Sequence, residues 1–295
     1  MSKTVLIDGN NAMMRALHTD GTLIWDNEKK NVLDYDWEYF EFRIFQTIYY
    51  SITDINDASE LVFAIDGDKN RTWRKLYWSR YKESRKKDNK IDWTSVFDHY
   101  MLLMSELKNN FPFKILRHPN AEGDDIIGTI VQNSPQKHYI VSVDKDFMQL
   151  YEKDRVTIYS PLKQAELKHP SPEHFIIEQC LLGQAKDDIF NIKTPLDHPQ
   201  GKRKPGFGPK ALEKVVTYGW KTWLKDNNLE ERFEFNRNLM DFKRIPKSIQ
   251  KSIMSMYKIK DYPHPDKMYK YVEKKNWNHF LDNWNNVEQK LLALY

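Results

Sequence analysis

Five short apolar runs, most of them closing on or near an acidic residue, constrain what this chain can fold into. They are "KTVLID" (Lys3–Asp8), "ELVFAID" (Glu60–Asp66), "FKILRH" (Phe113–His118), "HYIVSVD" (His138–Asp144) and "RVTIYS" (Arg155–Ser160). Each is rich in Val, Ile or Phe and bounded by polar or turn residues, which predicts strands. Longer stretches such as Asp36–Tyr50 and Thr94–Asn109 read as helices between them. Strands alternating with helices predict an α/β fold, a mostly parallel central sheet with helices on both faces. Such sheets bind ligands at the C-terminal ends of their strands. Asp8 ends the first predicted strand and Asp66 the second, while Asp144 ends the fourth, with Asp146 two residues on. In "AEGDDIIGTIV", Glu122, Asp124 and Asp125 follow the third strand and open a helix.

Carboxylates gathered at a core edge are costly unless they are paired, hydrogen-bonded or holding a cation. Each alone has an ordinary explanation: "DGN" and "DGD" are turn chemistry, and acids in a first helical turn suit the helix dipole. Together they place repelling charges on one rim, and a divalent cation relieves that repulsion. The donors are all oxygen, with no Cys or His pairing, which favours Mg²⁺ or Mn²⁺ over zinc.

The net charge is only +4, but it is uneven. Lys69 to Lys90 holds ten basic residues, interrupted only by Glu83 and Asp88. Trp73, Tyr77 and Tyr81 recur at spacing four, with Trp78 beside them, and would share one helix face. Cations interleaved with aromatics suit single-stranded nucleic acid, by phosphate contact and base stacking; the same stripe also reads as core. After about Pro170 strand-like runs become scarce, which predicts a sheet domain over 1–170 and a helical domain over 171–295. There "GFGPKAL" (Gly206–Leu212) is a tight turn entering a helix, preceded by the basic "GKRK". Helix N-terminal amides bind phosphate. No apolar run approaches the ~20 residues that span a bilayer. The N-terminus lacks a signal-peptide pattern, and the single Cys180 reads as a core residue in a reducing, cytoplasmic setting.

"LIDGNN", "FAIDGD", "AEGDDIIGTIV", "SVDKDFMQL" and "GFGPKAL", in that order, resemble the flap-endonuclease-like, PIN-like 5′ nucleases. That family includes bacteriophage 5′ exonucleases and ribonucleases H and the 5′-nuclease domain of bacterial DNA polymerase I. The resemblance covers nearly the whole chain. It implies that Asp8, Asp66, Glu122, Asp124, Asp125 and Asp144 surround a first Mg²⁺, replaceable by Mn²⁺, and that Asp146 and Asp187 support a second. It implies an arch over the site from Lys69 to about Trp93. In it Lys82 and Arg85 would contact the scissile phosphate, Arg74, Lys86 and Lys87 other phosphates, and Tyr81 a base. Gly206, Gly208 and Lys210 match a helix-hairpin-helix turn that grips duplex DNA, with K⁺. The family pattern Gly-Asp-x-x-Asp-Asn reads "GQAKDD" (Gly183–Asp188) here. Gln184 stands in place of an aspartate and Asp188 in place of the asparagine, which weakens the second metal site.

The implied activity is Mg²⁺-dependent 5′-3′ exonuclease and flap-endonuclease cleavage of RNA–DNA hybrids and DNA duplexes, removing RNA primers in phage replication. The implied setting is a monomer in the host cytoplasm that works beside a sliding clamp or a single-strand-binding protein. A PIN-like ribonuclease on structured RNA and a weakly catalytic nucleic-acid-binding factor are the alternatives.

Overall fold

The computed structural model describes residues 2–26, 28, 30–53, 55, 57–85, 88–199 and 202–295. The strands are β1 (Lys3–Asp8), β2 (Leu23–Asp26), β3 (Asn31–Tyr35), β4 (Ala58–Ile65), β5 (Phe113–Arg117), β6 (Lys137–Val141), β7 (Val156–Ser160) and β8 (Ala165–Glu166). Six of them form one sheet in the order β5-β4-β1-β6-β7-β8, parallel except for β8. The expected α/β sheet is present. The antiparallel β2–β3 hairpin stands apart from it and is not foreshadowed in the apolar pattern.

β1 lies between β4 and β6, with Asp8 level with Ala64 and Ile7 level with Val141. This order sets the acids that follow β1, β4 and β6 side by side. Val5, Leu6 and Ile7 are wholly buried, because both sheet faces are covered, and a strand covered on both sides reads as a continuous apolar run.

On one face, Val5, Ile7 and Phe63 pack against α1 (Gly9–Leu17), α2 (Trp37–Thr53) and, past the short α3 (Trp73–Tyr77), α4 (Trp93–Asn110). On the other, Leu6, Val62 and Ile140 pack against α5 (Gly123–Asn133). The chain continues through α6 (Pro172–Leu182), α7 (Pro209–Tyr218), α8 (Trp220–Asp226), α9 (Glu230–Met240) and α10 (Lys247–Tyr257) to α11 (Asp266–Lys274), α12 (Asn278–Leu281) and α13 (Trp284–Leu292). α6 to α9, with Tyr81, Ile189, Ile192 and Phe207, build a cluster separate from the sheet. Ile249 and Ile253 of α10 join the α5 side of the sheet, and Met268, Phe280 and Leu291 of the last helices join the α2 side.

One local expectation is corrected. Trp73, Tyr77 and Tyr81 do not share one helix face: α3 ends at Tyr77 and Trp78 is extended, so Tyr81 leaves the face shared by Trp73 and Tyr77. The glycine turn Gly206–Gly208 leads into a helix, as its pattern predicts. Gly208 caps α7, and no α-helix is described between α6 and α7, where Pro195, Pro199 and Pro205 interrupt the chain.

Candidate active site

Asp8 stands at the end of the central strand and caps α1, accepting from the Asn11 amide at 3.0 Å and from Ser142 Oγ at 2.7 Å. Burial, with repulsion from Asp66 and Asp144, raises its pKa to about 6. Asp66 accepts from the Gly123 amide at 2.7 Å and from Asn10 Nδ2 at 2.8 Å. That amide can approach because Gly123 has no Cβ; one built there would lie 3.0 Å from the Ala64 carbonyl oxygen and 3.3 Å from Asp66 Oδ1. Burial and then repulsion from Glu122 raise the pKa of Asp66. Burial and repulsion from Asp8 and Asp144 likewise push Asp124 well up. Asp144 begins the 3-10 turn Lys145–Leu150 and accepts from the Asp146 amide at 2.9 Å.

Cations of this chain reach into the rim. Lys82 Nζ pairs with Glu122, and Arg85 pairs with Asp187. Lys186 Nζ lies 2.8 Å from Asp144 and 3.3 Å from Asp146. Gln184 Nε2 donates to Asp146 Oδ1 at 2.6 Å, the proximity expected of this position. Burial works to raise the Glu122 pKa, but Lys82 and Arg74 hold it down to about 2. Burial and Asp144 raise Asp146 to about 6 against the relief from Lys186. Burial works to raise half-buried Asp144 as well, but Lys186 holds it below its ordinary value.

A void of about 20 Å³ touches Glu122, Asp124, Asp146, Asp187 and Gln184, and its other walls include Arg74, Tyr81, Phe175, Leu239 and Phe242. That is room for roughly one water-sized occupant. The acids of the rim fit a hard divalent cation by their chemistry: their donors are all oxygen and their charges repel. The cage is not drawn closed, and among the described residues no three acids are gathered at ligating spacing.

Several expected site residues serve the fold instead. Asp125 is wholly buried; it closes the α5 capping box by accepting from the Glu122 amide at 3.0 Å. Trp73 Nε1 donates to it at 3.0 Å, and Arg74 Nη1 pairs with it at 2.7 Å. Arg74 is 3% exposed and also bonds Glu122 and the Leu239 carbonyl, so its charge is spent inside the protein and not offered to a phosphate. Tyr81 is 5% exposed and its hydroxyl donates to Glu122 at 2.8 Å, which leaves no open ring face for a base. Asp188 turns away from the acids and accepts from the Ser84 amide at 2.7 Å. Gly206, Gly208 and Lys210 are exposed and line neither the carboxylate void nor the cleft above it. Lys86 and Lys87 lie outside the described residues.

Above the rim a cleft of about 660 Å³ reaches Asp66 and Glu122 and is edged by Lys69, Lys75, Lys82 and Arg85. Lys186, Ser142 and Asn10 take part without having been singled out from the sequence. Their signals were adjacency: a lysine inside "GQAKDD", a serine two before Asp144 and an asparagine two after Asp8.

A parallel sheet with acids on three neighbouring strand ends, under a basic segment, defines the class as a PIN-like nuclease fold. The chain belongs to the 5′-3′ exonuclease family: residues 3–179 match its N-terminal resolvase-like domain, and residues 170–287 match the C-terminal domain of T4 RNase H. It is 28% identical to the ribonuclease H of Enterobacteria phage T4 over 230 residues, 73% of this chain and 75% of that protein. It is 27% identical over 153 residues to DNA polymerase I of Mycobacterium tuberculosis, half of this chain but 16% of that protein. Among solved structures, the phage T5 flap endonuclease in a pseudo-enzyme–product complex with DNA and metal ions superposes with a TM-score of 0.61 at 15% identity, covering 87% of this chain and all of that one. The T5 5′-exonuclease with bound zinc gives 0.62 at 17% identity, over 88% of this chain and all of that one.

Proposed function

We propose that this chain is a Mg²⁺-dependent 5′ nuclease that hydrolyses phosphodiesters at 5′ ends and flaps of RNA–DNA hybrids and DNA duplexes, and that it removes RNA primers during phage replication. One observation carries this reading: Asp8, Asp66 and Asp144 follow three adjacent parallel strands, and of the rim acids Asp66 and Glu122 open onto a cleft edged by Lys69, Lys75, Lys82 and Arg85. The ribonuclease H of phage T4 and the DNA-bound flap endonuclease of phage T5 support the choice of substrate.

Asp8, Asp66, Asp124 and Asp144 would hold a first ion, and Asp146 and Asp187 a second. Held there, Mg²⁺ supplies Lewis-acid charge and activates water for attack on phosphorus. The chain's own residues supply the rest. Glu122 stays ionised and keeps Lys82 protonated at the floor of the cleft. Lys82 and Arg85 then face the phosphate, where negative charge grows in the transition state. The acidic rim alone would repel a polyanion, and the basic edge offsets that repulsion.

The test is cleavage of a 5′-labelled nicked DNA, a 5′-flapped DNA, an RNA–DNA hybrid and a folded RNA, with Mg²⁺ or with EDTA. Mg²⁺-dependent release of short 5′ products from the first three is expected, and Asp66→Ala should abolish it while leaving DNA binding near wild type. Cleavage of the folded RNA alone would assign the chain to structured RNA. Tight binding without turnover on any substrate would make it a binding factor.

A further inference from the structure

The helices α1 and α2 cover β1 and β4 but leave the same sheet face open over β6 and β7. A second cleft of about 330 Å³ lies there, away from the acidic rim. Its floor is Tyr139 and Tyr159, whose rings stack with centroids 5.9 Å apart. Its walls carry Arg15 from α1 and Arg43 from α2, both half-buried. Arg43 Nη1 bonds only the Gln46 side-chain oxygen, at 2.6 Å. Among the described residues, neither guanidinium has a carboxylate within ion-pair distance. Arg74 and Arg85, by contrast, are both ion-paired.

Two half-buried cations side by side repel each other, and an anion between them offsets that cost. Guanidinium groups present flat donor forks that match phosphate oxygens. The cleft has the size that encloses one small ligand and is too narrow for a duplex. It is also connected. An adjoining cleft of about 360 Å³ shares Arg15, Arg43 and Pro161 with it and is bounded by His18. His18 in turn lines the large cleft above Asp66. The three clefts therefore lie in series, from the one that reaches Asp66, past His18, to the one with the two arginines and the tyrosine floor, and mark a path over the surface.

We propose that this path is a second nucleic-acid site, in which a backbone phosphate of a single strand leaving the active-site cleft sits between Arg15 and Arg43 and a base packs against the tyrosine floor. This rests on the nuclease reading, but its test does not use cleavage. Fluorescence anisotropy in EDTA compares wild type, Arg43→Ala and Arg43→Lys on a nicked duplex and on the same duplex with a 5′ single-stranded tail. Unlabelled thymidine 5′-monophosphate serves as competitor. Wild type should bind the tailed duplex more tightly. Arg43→Ala should lose that gain, about tenfold, and bind the untailed duplex as wild type does, which also verifies its fold. Its salt dependence on the tailed duplex should flatten by about 0.7 in log–log slope, as for one phosphate contact to a single strand. Arg43→Lys should keep the slope and lose part of the affinity. Equal loss on both duplexes, or no loss on either, overturns the site. Competition by the mononucleotide as strong as by the tail would make it a pocket for free nucleotides and overturn the strand path. A wild type that binds neither duplex would overturn the nuclease reading and this one with it.

Discussion

Removing Arg74 would leave Asp125 as a buried charge without a counter-ion. Breaking a buried pair in that way costs about 3–5 kcal/mol. Arg74→Ala should therefore lower unfolding stability by that order, measured by urea titration. A residue serving only a phosphate would instead leave stability unchanged and reduce the salt dependence of binding. Lys82 is the contrasting cation, because it reaches the cleft that Arg74 does not. Lys82→Ala should cut turnover on the order of a hundredfold or more, as loss of a single transition-state contact does, while binding changes little. Equal loss of rate and affinity would make Lys82 a general phosphate contact. The strand-end acids were legible as a set, because carboxylates at the ends of neighbouring strands repel one another, although each alone reads as turn chemistry. The inward turn of Arg74, Trp73 and Tyr81 was not. The residue types that grip a polyanion also satisfy buried acids, and only tertiary packing decides between the two.

The segment that follows α3 is fastened to the turn that follows α6. The Lys82 amide donates to the Asp187 carbonyl at 3.0 Å, Ser84 to Asp188 at 2.7 Å, and Arg85 Nε to the Lys186 carbonyl at 3.0 Å. Lys186 projects from the same turn onto Asp144 and Asp146. The second cation site proposed at Asp146 and Asp187 would thus face a neutral amide from Gln184 and the Lys186 ammonium. Two changes should strengthen it: Gln184→Asp adds a carboxylate, and Lys186→Ala removes a competing charge. Calorimetric Mg²⁺ titration should show each tightening the weaker binding event, and the double variant tightening it most. Asp188→Asn should leave both events unchanged, because Asp188 is committed to Ser84. If Asp188→Asn weakens the second event and neither of the others alters it, the turn is misassigned. At this scale the five sheet strands at β1, β4, β5, β6 and β7 were readable from short Val- and Ile-rich runs. The end of α3 at Tyr77 was not, since an aromatic at every fourth residue continues the helical pattern whether or not the backbone follows it.

Across the whole molecule, the last three helices close the core begun by the first strand. Trp277 packs 4.8 Å from Phe45 of α2, centroid to centroid. Nothing in the local pattern of 260–295 says which surface those apolar stripes will meet, so sequence reading assigns them to the helical domain over 171–295. The distribution of charge is also a property of the whole, and it makes stability depend on pH in two opposed windows. Glu122 is held at about 2, below its ordinary 4.5. Its ion pairs contribute stability above that ordinary value, and the contribution is lost as pH falls through about 2. Asp8 and Asp146 are raised from 3.8 to about 6. Between those values the folded state binds more protons than the unfolded one, so stability falls as pH rises. Buried His138 is lowered from 6.5 to about 4. It acts in the opposite sense over nearly the same window, since the unfolded state there binds the extra proton. The single melting curve therefore mixes these contributions, and the informative quantity is the difference between curves with and without metal. A divalent ion bound by the rim relieves Asp8 and Asp146 and leaves His138 untouched. The gain in Tm from excess Mg²⁺ over EDTA should be near zero at pH 4, rise through pH 6 and level off above it. Asp8→Asn should flatten that gain. A gain that is the same at every pH, or absent throughout, would mean that the acids at the strand ends do not collect metal.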